Sequence, residues 1–109
     1  MSVVVFISDA KNEVEEKFSI PVASEQFFKK YWVHAIEELN LELLSQIEYG
    51  LELEYSELSI IIYELNRMLK WVENNLSGSD KILMEERIKL LIEKLPEAFI
   101  DVSNKVYIG

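Results

Sequence analysis

The residues of this chain that could do chemistry are few. There is one histidine, His34, and no cysteine, so a thiolate nucleophile, a thiolate metal site and a pair of imidazoles are all outside its repertoire. If the segment around His34 is helical, Glu37 and Glu38 stand three and four residues further on, where two ligands share neighbouring turns. Two ligands do not hold a metal, and a helix histidine beside a glutamate is far more often a surface pair, so no metal site is expected. The carboxylate pairs Glu37 with Glu38, Glu52 with Glu54 and Glu85 with Glu86 would do acid and base work only across a cleft in which burial raises one pKa. With twenty acidic residues in 109, such pairs arise by chance and read as solvated faces. The three glycines, Gly50, Gly78 and Gly109, form no phosphate cradle, and no serine sits in the glycine-flanked turn that exposes a hydrolase nucleophile. Neither an enzyme nor a cofactor is expected.

Charge and aromatic residues suggest binding instead. From Tyr31 to Asn66 there is no Lys or Arg, while Glu37, Glu38, Glu42, Glu48, Glu52, Glu54, Glu57 and Glu64 all fall in that stretch. Lys29 and Lys30 precede it, and Arg67 and Lys70 follow. A formal charge of −9 argues against nucleic acid, whose phosphates are bound by clustered Lys and Arg. It suits a basic protein partner, steered in by a negative face. Most aromatic residues read as core, but Tyr49 and Tyr55 flank Gly50 among carboxylates, as rigid anchors for a basic surface would. The candidate partner-binding set is therefore Glu48, Tyr49, Glu52, Glu54, Tyr55 and Glu57. The plainer reading of the same residues is an acidic surface that keeps the protein soluble.

These residues need elements to position them. Residues 3 to 8, Val-Val-Val-Phe-Ile-Ser, read as a central strand covered on both faces. Val14 to Ile20 alternates imperfectly and reads as its hairpin partner, ended by Pro21, which has no amide hydrogen for a ladder. Ser24 and Glu25 open a helix whose buried stripe is Phe28, Tyr31, Trp32, Ala35, Ile36 and Leu39. Residues 41 to 49 fit a second helical piece or a strand, closed by Gly50. Leu51-Glu52-Leu53-Glu54-Tyr55 alternates but is short, and reads as a loop. Ser56 caps a second helix with Leu58, Ile61, Ile62, Leu65, Met68, Leu69, Val72 and Leu76 as its stripe, widened by Ile60, Tyr63 and Trp71. Ser79 or Asp80 caps a third, with Met84, Ile88, Leu91, Ile92 and Leu95 inside, stopped by Pro96. Phe99 and Ile100 are expected to fold back on the core, and Lys105 to Ile108 to form a last strand.

The whole chain, 1–109, reads as one α+β domain: a small antiparallel sheet of two or three strands packed against about three helices. Half of its residues are apolar, enough for a core. With no cysteine, and with the opening apolar run broken at Ser8-Asp9 before it could serve as a signal or a membrane span, a cytoplasmic protein is expected, with no membrane partner.

In size, charge and architecture the chain resembles the immunity proteins that bacteria keep beside polymorphic or contact-dependent toxins. The residues that carry the resemblance run from Ile20-Pro21-Val22 through Phe27-Phe28 and Tyr31-Trp32 to Glu37-Glu38-Leu39, with Tyr107-Ile108-Gly109 at the end. That resemblance implies a stoichiometric inhibitor covering the active site of a cognate toxin, often a basic nuclease. The alternative is a structural or regulatory subunit that forms a homodimer through the apolar face of the second helix.

Overall fold

A computed structural model describes residues 2–109. Four strands, β1 (Ser2–Ser8), β2 (Ser19–Ser24), β3 (Leu51–Glu54) and β4 (Lys105–Ile108), form one antiparallel sheet in the order β2-β1-β4-β3. The helices are α1 (Glu13–Lys17), α2 (Glu25–Phe27), α3 (Val33–Leu39), α4 (Leu58–Asn75) and α5 (Gly78–Lys94). A π-helical segment, Phe28–Trp32, joins α2 to α3 into one rod. The α+β class is as expected, with a fourth strand and short helical pieces beyond the three principal helices.

Alternation in the strands sets the layers. Val5, Ile7, Ile20, Val22, Leu51, Leu53, Val106 and Ile108 point into the core, where they meet Phe28, Trp32 and Ile36 of the first helical rod and the inward stripes of α4 and α5. Ile61, Leu65, Met68 and Val72 are the fully buried members of α4's stripe, and Met84, Ile88 and Leu91 those of α5. The opposite face of the sheet is uncovered. β1 lies in the interior of the sheet as expected, but it is not covered on both sides, since Phe6 remains 42% exposed.

Several expectations are corrected. Residues 13–17 form helix α1, because Asn12 caps it by accepting from the Glu15 amide at 2.9 Å; the hairpin partner of β1 starts only at Ser19. Pro21 then lies inside β2, opposite Val4, instead of ending it. Its missing donor is tolerated because β2 is an edge strand and the register slips between Val3 and Val4. The stretch 51–54 is a strand: its pairing with 105–108 adds an edge that short alternation alone did not establish. Before it, Leu44–Tyr49 is a 3-10 helix, and Gly50, at φ +90°, turns the chain into β3. The third long helix starts at Gly78, behind Ser77, and not at Ser79 or Asp80. Phe99 folds back into the core while Ile100 stays exposed.

Candidate functional site

β3 positions the predicted set. Its period-two pleat sends Leu51 and Leu53 inward and Glu52 and Glu54 outward, onto the uncovered face of the sheet. Glu48 and Tyr49 end the 3-10 helix before the strand, and Tyr55 and Glu57 open the one after it, Tyr55–Glu57. The two tyrosines therefore stand at opposite ends of β3, which spans about 14 Å at the usual rise per residue. Tyr49 is 88% exposed. The Tyr55 ring is half anchored, 6.0 Å from the ring of buried Phe99.

The carboxylates of the set differ in how far they are already engaged. Glu57 accepts from the Glu54 amide at 3.0 Å and shares a capping box with it around the 3-10 helix Tyr55–Glu57 that leads into α4. Glu48 borders a small cavity of about 150 Å³ with Ser2, Val3, Glu25, Lys29 and Gly109. Glu52 and Glu54 face the Lys105 ammonium at 3.7 and 4.0 Å, all three side chains about half exposed. The stretch free of cations in sequence is thus not free of them in space. Sequence reading missed Lys105, together with Phe6 and Tyr107, its neighbours on the same face. Strand parity puts Lys105 and Tyr107, two apart on β4, on one face; strand order then brings Phe6, Glu52 and Glu54 to it.

Glu64 does not belong to the acidic surface. It is only 7% exposed, and its two oxygens accept from the amides of Leu43 and Leu44 at 3.1 and 2.9 Å. These are donors left over at the start of a 3-10 helix, so the carboxylate is a tie between α4 and the segment before β3.

The other carboxylates of note are also structural. Asp101 accepts from the Lys11 ammonium at 2.7 Å and from the hydroxyl and amide of Ser103 at 2.6 and 3.0 Å. These donors hold its carboxyl well below the usual range. Glu15 is lowered as well, by the Lys11 amide and the Asn104 side chain. A carboxylate lowered in this way is firmly ionised, unlike a general acid. His34 is exposed and borders a groove with Tyr31, Glu37, Glu38 and Trp71, in which the Trp71 indole N–H donates to Glu38. Among the described residues no group of three or more His, Asp or Glu side chains is placed to hold a metal ion. Among the described residues no helix is long and apolar enough to cross a membrane.

No family model, curated protein or solved structure matches this chain.

Proposed function

We propose that this chain is a protein-binding module, an inhibitor of the immunity kind, that blocks a basic toxin or enzyme through the acidic, tyrosine-containing surface around β3. The observation that supports it best is the outward placement of Glu52 and Glu54 on the exposed face of the sheet, with Tyr49 88% exposed at the head of the strand. Rigid aromatic anchors among carboxylates are what a basic surface binds well. The reading is tested by isolating what tagged protein retains from the lysate of its source at low salt and assaying its activity. A basic protein released by high salt, and inhibited when the chain is added back, is the expected result. A retained protein whose activity is unaffected counts against it.

One observation favours a second reading. Ile60 and Tyr63, three apart on the outer side of α4, are 51% and 64% exposed, so an apolar helix face is open to a second copy. A homodimer formed there would keep its mass at high salt, since apolar burial is not screened.

A further inference from the structure

Two rows of cross-strand neighbours make up the uncovered face beside β3. Phe6, Tyr107 and Glu52 lie in one, and Ser8, Lys105 and Glu54 in the next, two residues along the strands. The Phe6 and Tyr107 rings are tilted against each other with centroids 5.1 Å apart. Lys105 is the one cation in these two rows, against two carboxylates. Its contacts of 3.7 and 4.0 Å are longer than the roughly 2.7–2.9 Å of a well-formed charged hydrogen bond.

We propose that this face is where the basic partner docks, and that it takes an arginine of that partner, stacked on the Phe6 and Tyr107 rings and held by Glu52 and Glu54. Lys105 half-fills that place in the free protein. The proposal rests on reading the chain as a binder of a basic protein. Charge complementarity selects the occupant: the two rows carry one more carboxylate than cation, and a second copy would bring another −9 against the chain's own. Arginine fits better than lysine because its planar guanidinium stacks on rings while its fork of donors reaches carboxylates. Lys105, rooted in the same strand as Tyr107, supplies charge without that fork.

The test is a titration of isotope-labelled protein, followed by amide chemical shifts, with two short peptides of equal length and charge, one arginine-rich and one lysine-rich. At low salt the arginine peptide should bind about two- to fivefold tighter, as expected of a cation on an exposed aromatic surface. Shifts should concentrate at Phe6, Glu52, Glu54, Lys105 and Tyr107. Lys105→Met should tighten binding roughly two- to fivefold, the scale of an exposed ion pair removed from competition. Lys89→Met, the same loss of charge on exposed α5, should tighten it less. Shifts concentrated on α5, or equal effects of the two substitutions, would overturn this site while leaving an acidic binder standing. Absence of salt-sensitive binding by either peptide would overturn both.

Discussion

Glu64 shows how much depends on where a carboxylate falls. It sits in sequence among acids that face solvent, yet it is buried and accepts two backbone amides. Removing it leaves those donors without a partner inside the protein, so Glu64→Ala is expected to cost about 2–3 kcal/mol, measured as a shift of the urea unfolding midpoint. Glu64→Gln keeps one carbonyl oxygen and should cost less. Asp101 is the opposite case, exposed but locked by Lys11 and Ser103. Its carboxyl is lowered relative to the ordinary 3.8, so its contribution to stability is complete above that value and is lost as pH falls below it toward the folded-state value. Glu15, also lowered, adds to the same acid limb below its ordinary 4.5. Stability measured by urea between pH 2 and 5 should therefore fall with acid, and Asp101→Asn should flatten that fall; an unchanged slope would show that the Lys11–Asp101–Ser103 knot carries no stability.

At the scale of elements, β3 depends on the turn that launches it. Gly50 has φ +90°, and a Cβ there would stand 2.5 Å from the Tyr107 hydroxyl oxygen. Gly50→Ala should cost about 1–3 kcal/mol from backbone strain alone, with the clash in addition. Tyr107→Phe in the same chain removes the closest atom, so the double variant should recover part of the loss; strictly additive costs in thermal unfolding would mean the ring does not lie over Gly50. The long helices were legible in the sequence because the stripes Ile61, Leu65, Met68, Val72 and Met84, Ile88, Leu91 repeat over many turns. The strands were less so. Four residues, Leu51 to Glu54, alternate too briefly to be told from an extended loop until β4, more than fifty residues later, pairs with them. Val14 to Phe18 alternates by accident around a helix set by the Asn12 cap, and Pro21 misled because its cost depends on whether a strand lies at an edge. Of the candidate site, Glu52 and Glu54 stood out in the sequence by charge, but their shared outward direction follows only once 51–54 is a strand, and Phe6, Tyr107 and Lys105 came to the same face only through strand order, which no local pattern encodes.

For the molecule as a whole, a charge of −9 with carboxylates on an uncovered sheet face makes association with a basic surface sensitive to salt. Self-association through Ile60 and Tyr63 has the opposite signature. The most direct test of the account is a pull-down with wild-type protein and with the Glu52→Lys, Glu54→Lys double variant, at low and at high salt, with the retained proteins identified by mass. The expected result is a basic protein held by the wild type at low salt, released at high salt, and not held by the double variant. A partner retained equally by both forms at both salts, or recovery of the bait alone as a dimer whose mass is unchanged by salt, would contradict it.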